Sequence, residues 1–149
     1  MQTAKDLMTT DILTIGMDCP VQRAIDILLE KEISGLPVTG RDGRLLGILT
    51  EFALLAIAYD PQVGSCAVAE YMSGEVISVD PETTIERIAD LLILHRIRRV
   101  PVVADGKLVG LISRRDVLRA ASKSAQPISQ SVLSGIGQSQ RMQAGVESR

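Results

Sequence analysis

The stretch Gly110-Leu-Ile-Ser-Arg-Arg-Asp-Val-Leu-Arg119 combines residue types that can hold a phosphate and a pair of hydroxyls. A short apolar run ends at Ser113, and Asp116 follows three residues later as a helical pattern begins. A chain leaving a strand in this way turns the first free N–H groups of a helix outward, where the helix dipole attracts anions. Ser113 can donate to a phosphate there, and the Asp116 carboxylate can accept from two hydroxyls. The same residues also suit a purely local task, with Ser113 capping the helix and Asp116 favouring its positive end. This stretch alone leaves both readings open.

The stretch is the second half of a repeat. Ala4-Lys-Asp-Leu-Met8 is echoed by Val68-Ala-Glu-Tyr-Met72, 64 residues on. The same offset carries Ile12–Ile15 onto Val76–Val79 and Leu36-Pro-Val38 onto Val100-Pro-Val102. One residue then drops out of a turn, and Gly47-Ile-Leu-Thr50 maps onto Gly110-Leu-Ile-Ser113 at an offset of 63. Two copies imply a pseudo-twofold pair rather than a solenoid.

Each copy must position its hydroxyl residue with the same elements. A short strand (Ile12–Ile15; Val76–Val79) leads into a helix with apolar residues at helical spacing. These are Val21, Ala24, Ile25, Leu28 and Leu29, then Ile85, Ile88, Ala89, Leu92 and Ile93, and all are expected in the core. Thr83-Thr-Ile-Glu86 reads as a capping box. Pro20 is expected at the first helical position of the other copy. Two strands follow in each copy, Gly35–Thr39 with Leu45–Leu49 and Val100–Ala104 with Leu108–Ile112. Their turns use Gly43 and Gly106 for positive φ. A second helix closes each copy (Glu51–Ala58; Arg114–Ser122), and Asp60–Gly64 links them. The expected fold is mixed α/β (α+β), with tandem β-α-β-β-α repeats packed sheet to sheet in pseudo-twofold symmetry. The expected divisions are 1–62, 63–122, and a Ser/Gln/Gly-rich tail over 123–149, either mobile or docking on a partner through Ile128, Val132, Leu133 and Ile136.

Composition narrows the function. Of the 149 residues 46% are hydrophobic but only 2% aromatic, so base-stacking platforms are absent. A net charge of −2 gives no electrostatic case for nucleic acid or an anionic membrane. No window approaches the roughly 20 apolar residues of a membrane span. Residues 1–8 lack an apolar run after a basic flank, so no secretory signal is expected and the location reads as cytoplasmic. Cys19 and Cys66 occupy unmatched positions and read as reduced thiols, with Cys19 alternatively a reactive thiol at a helix start. The single His95 excludes a histidine-based metal cluster and suits a solvated or core-edge place.

Two copies of strand, helix, Leu/Val-Pro-Val, Asp-Gly turn and Gly-hydrophobic-hydrophobic-Thr/Ser resemble a CBS domain pair, or Bateman module, over residues 4–122. Ile33-Ser-Gly-Leu-Pro-Val38 is similar to the regulatory insert of inosine monophosphate dehydrogenase, whose catalytic barrel cannot fit here. The resemblance implies a non-catalytic regulatory module for an adenosine-containing ligand (AMP, ADP, ATP or S-adenosylmethionine) between the repeats. It also implies a homodimer acting on an effector protein that the sequence does not identify, with no cofactor required. Ser113 would meet phosphate, Asp116 the ribose hydroxyls and Arg99 the phosphate from the neighbouring strand, with Arg98, Arg114 and Arg115 adding positive charge. Thr14, Ile15 and Val38 would wall the base, largely through backbone groups.

The first repeat keeps the hydroxyl as Thr50 but has Ala53 for the acid and Gly35 for the base, so one competent cleft and one degenerate cleft are expected. The competing reading is a ligand-free dimerisation scaffold. An enzyme is disfavoured, since no phosphate-cradling glycine loop, spaced carboxylate pair or nucleophile–base pair is present.

Overall fold

The computed structural model describes residues 1–123, so apart from Lys123 the expected tail lies outside the described residues. In chain order the elements are α1 (Ala4–Leu7), β1 (Ile15–Gly16), α2 (Val21–Lys31), β2 (Gly35–Thr39), β3 (Leu45–Thr50) and α3 (Glu51–Leu55), then α4 (Ile85–Leu94), β4 (Arg99–Ala104), β5 (Lys107–Ser113) and α5 (Arg114–Lys123). Short 3-10 turns at Val63–Ser65 and Val68–Glu70 join the halves. One sheet runs β1-β2-β3, with β1 parallel to β2 and β2 antiparallel to β3. The other pairs β4 and β5 antiparallel. Both hairpins turn through a positive-φ glycine as expected, Gly43 at φ 85° and Gly106 at φ 81°.

The opening strands are shorter than their apolar runs. β1 covers only Ile15–Gly16, and its counterpart is a single parallel bridge, Val79 to Val102. Prolines explain this. Val79 donates to the Pro101 carbonyl at 3.0 Å, and Val103 donates to Val79 at 2.8 Å. The next rung would need an N–H from residue 101, which proline lacks, and Pro37 stops β1 the same way.

Several local expectations shift by a residue or a turn. Thr84, not Thr83, caps α4 by accepting from the Arg87 N–H at 3.3 Å. Thr83 is held in the preceding turn, where its hydroxyl accepts from the Asp80 N–H and donates to the Asp80 carboxylate. Pro20 is the cap of α2 rather than its first residue. The closing helix of the first repeat stops at Leu55, short of Ala58. Leu29 is 74% exposed and Ile93 is 38% exposed, so these equivalent positions leave the core stripe and face outward.

Two cores result, and each is completed by a segment from the other half. The second core holds Val79, Ile88, Val100, Val102, Ile112 and Val117, and Ala4 of α1 is buried in it with Leu7 and Met8 against it. The first core holds Ile15, Val21, Leu36, Val38 and Leu49, and takes in Val63 and Val68, with Tyr71 and Met72 packed on it. Backbone bonds lock both crossings. Thr9 and Leu111 exchange bonds at 2.9 and 3.0 Å, and Ser73 and Ile48 at 2.8 and 2.9 Å. The hairpin turns are also stitched together, Leu45 N–H to the Gly106 carbonyl and Leu108 N–H to the Gly43 carbonyl.

Candidate functional site

β5 delivers Ser113 to the start of α5, where the sequence puts the hydroxyl and acid one helical turn apart. Asp116 Oδ2 accepts from the Ser113 N–H at 2.8 Å and from the Ser113 hydroxyl at 3.0 Å. The Asp116 N–H donates back to Ser113 Oγ at 3.2 Å. The local capping task is therefore carried out in full. It also fixes the carboxylate, whose side chain keeps 16% exposure and whose Oδ1 meets Arg119 at 3.4 Å. Oδ1 remains the oxygen open to a further donor.

The cations come from the start of β4 and the start of α5. Arg99 lies directly across the ladder from Ser113. The Arg98 carbonyl accepts from the Arg114 N–H at 3.0 Å, and Arg114 Nε donates to the Ile97 carbonyl at 2.9 Å. Arg98, Arg114 and Arg115 are exposed, and Arg99 is half-buried.

The first repeat builds the same frame without the charges. Thr50 faces Gly35 across β2 and β3, and its hydroxyl accepts from the Ala53 N–H at 3.2 Å. Glu51 donates its N–H to the Ser34 carbonyl at 2.9 Å, matching the Arg114 bond to Arg98. The hydroxyl caps its helix in both copies. Only the second copy adds an acid and a neighbouring arginine.

Thr14 is exposed, whereas Ile15 and Val38 are buried in the first core and pair across the parallel ladder. Their side chains belong to the interior, which leaves the backbone as the part they offer a cleft. The sequence reading missed Thr9 and Thr10. The Thr9–Leu111 bridge lays this extended segment of the first repeat alongside β5, two residues from Ser113. Its duplication as Ser73–Gly74 was legible, but which half it would join was not. A cavity of about 260 Å³ opens between the halves nearer the turns, lined by Arg44, Leu45, Leu46, Val76, Ser78 and Val103 among others.

The remaining candidates stay apart from this place. Cys19 and Cys66 are free and partly buried. Cys19 borders a hollow of about 520 Å³ with Gly16, Met17 and Arg41. A hydrogen bond with Cys66 pushes the Tyr71 hydroxyl above its ordinary pKa. His95 ends α4 and is exposed. Among the described residues no three His, Cys, Asp or Glu side chains gather to hold a metal. No helix among them is long and apolar enough to cross a membrane.

Residues 4–60 and 68–123 each match the CBS domain family. The chain is a CBS domain pair. Hypoxic response protein 1 of Mycobacterium tuberculosis is 30% identical, over 80% of this chain and 85% of its own. The inosine-5'-monophosphate dehydrogenase of Methanocaldococcus jannaschii is 29% identical over 80% of this CBS pair, which spans only 23% of that enzyme. A crystal structure of CBSX2 in complex with AMP superposes with a TM-score of 0.76 at 32% identity, covering 83% of this chain and 98% of CBSX2.

Proposed function

We propose that this CBS pair is a non-catalytic regulatory module that binds an adenosine-containing nucleotide in one cleft between its repeats, the other cleft being degenerate. The observation that carries the reading is the asymmetry between two otherwise matched frames. Ser113, Asp116 and Arg99 stand where the first repeat has Thr50, Ala53 and Gly35. Asp116 Oδ1 accepts the ribose hydroxyls once Arg119 swings aside. The Ser113 hydroxyl turns to phosphate while the Ser113 N–H keeps Asp116 in place. Thr9, Thr10 and Thr14 line the other wall. The AMP bound by CBSX2 supports this ligand class.

Losing both an acid and a cation weakens the first cleft by about 3 kcal/mol, since charge-assisted bonds contribute roughly 1.5–3 kcal/mol each. That is on the order of a hundredfold in affinity. Isothermal titration with AMP, ADP, ATP and S-adenosylmethionine is expected to give one site per chain. Asp116→Ala should lower affinity by about tenfold or more. Two equal sites per chain would contradict the asymmetry.

The module acts as a cytoplasmic homodimer on an effector protein and needs no resident cofactor. The apolar residues turned outward on its helices, Leu29, Phe52 and Leu55 in one half and Ile93, Leu94 and Leu118 in the other, suit a second copy. The reciprocal bonds between Ser113 and Asp116 favour a second reading, a ligand-free scaffold in which both serve only as caps. Sedimentation and titration of Asp116→Ala separate the two. A scaffold keeps its dimer, and its unsubstituted form binds no nucleotide.

A further inference from the structure

Met8 and Met72 occupy matched positions 64 residues apart, and each lays its thioether on a glycine of the opposite half. A Cβ on Gly110 would lie 2.5 Å from Met8 Sδ and 2.7 Å from its Cγ. At Gly47 the Met72 sulfur stands back at 2.9 Å, and the nearest atom is the Ser73 carbonyl oxygen at 2.6 Å. Met8 therefore has the more closely seated sulfur. It is half-buried against the second core, at the end of α1, a helix of one turn. Its neighbour Thr9 exchanges backbone bonds with Leu111 at 2.9 and 3.0 Å. Opening a single turn costs far less than global unfolding, so a small solute reaches this sulfur from the folded state. Met1 and Met17 are exposed and lie outside both cores.

We propose that Met8 is a reversible oxidation site whose sulfoxide detaches α1 and Thr9 from the second half. The oxidant is hydrogen peroxide. A sulfur lone pair attacks one peroxide oxygen, the O–O bond breaks, and the departing hydroxide takes the remaining hydroxyl proton and leaves as water. Sulfur loses two electrons and the peroxide gains them. A polar S=O then replaces an apolar thioether against Gly110, which brings no side-chain donor to meet it. The added oxygen also needs room where the sulfur already touches the strand. The segment this frees runs beside β5 toward Ser113, yet none of it depends on which ligand the cleft takes.

The test is graded hydrogen peroxide on the full chain, followed by a thiol reductant to restore Cys19 and Cys66. Peptide mass spectrometry reads which methionines carry an added oxygen, and amide exchange is followed at Thr9 and Leu111. Exchange there is expected to quicken by about tenfold or more once Met8 is oxidised. Methionine sulfoxide reductases acting on both epimers should slow it again. Met8→Leu keeps the volume without an oxidisable sulfur and should hold its slow exchange under the same peroxide. Met72→Leu should respond at Thr9 and Leu111 as the unsubstituted chain does. If Met8→Leu folds poorly, the unsubstituted chain before and after the reductases still decides the matter. Oxidised Met8 with unchanged exchange at Thr9 and Leu111 overturns the proposal. So does a Met8 that takes up oxygen only under unfolding conditions, or a Met8→Leu chain whose exchange quickens equally.

Discussion

Gly47 and Gly110 sit where a methionine from the opposite half presses on the strand. A Cβ on Gly47 would lie 2.6 Å from the Ser73 carbonyl oxygen and 2.9 Å from Met72 Sδ. One on Gly110 would press first on the Met8 side chain, whose Cβ would lie at 2.8 Å. The glycine that opens each Gly-hydrophobic-hydrophobic-hydroxyl run is thus a hole for a crossing residue. Alanine at either position should destabilise the chain by about 1–3 kcal/mol through overpacking. Urea unfolding of a double-mutant cycle tells the two apart. Gly110→Ala with Met8→Ala should fall short of the summed losses by about 1 kcal/mol, because Sδ and Cγ leave the clash and of the Met8 side chain Cβ alone stays close to the new methyl. Gly47→Ala with Met72→Ala should show little such relief, because the Ser73 carbonyl is backbone. Similar coupling in both pairs would argue against this assignment.

At the scale of elements, α1 is a single turn held by its first residues. Asp6 accepts from the Thr3 N–H at 2.8 Å and from the Thr3 hydroxyl at 3.2 Å. The backbone bond from Thr3 holds the Asp6 carboxyl below its ordinary pKa. A depressed folded-state value means that the carboxylate's contribution is present above the unfolded aspartate range and is lost as pH falls through the folded value. The Thr3 amide resonance should therefore titrate with a midpoint below that of a free aspartate, and Asp6→Asn should abolish the step. A midpoint at or above the ordinary value would contradict it. Capping boxes of this kind are legible in a few residues, yet the Thr83–Glu86 reading was one residue out. Adjacent threonines offer equal local chemistry, and the Asp80 turn decides between them.

For the whole molecule, exchange of the entry segments makes the halves interdependent. The second core includes Ala4, fully buried, and the first includes Val63 and Val68 from beyond its own last helix. Calorimetry should accordingly record one cooperative transition, since neither half keeps its full core when the other unfolds. Deleting residues 1–8 should cost about 3 kcal/mol, from Ala4, Leu7 and Met8 leaving apolar contact. Amide exchange should accelerate first around β5, because Thr9, which bridges to Leu111, is left as an unanchored chain end. Two separated transitions, or a truncation without effect on β5, would mean that the crossings contribute little.

The amino-acid sequence alone determined the duplication, the order of strands, turns and helices, and the hydroxyl–acid pair that opens α5. Those features reside in periodicity and turn chemistry over a few neighbouring residues. The tertiary structure decided which half each entry segment completes, that Leu29 and Ile93 face outward, and that Thr9 lies beside β5 near Ser113. Two similar repeats offer an entry segment two similar glycine holes. Local pattern cannot choose between near-equal partners, and the choice falls to the packing of the whole chain.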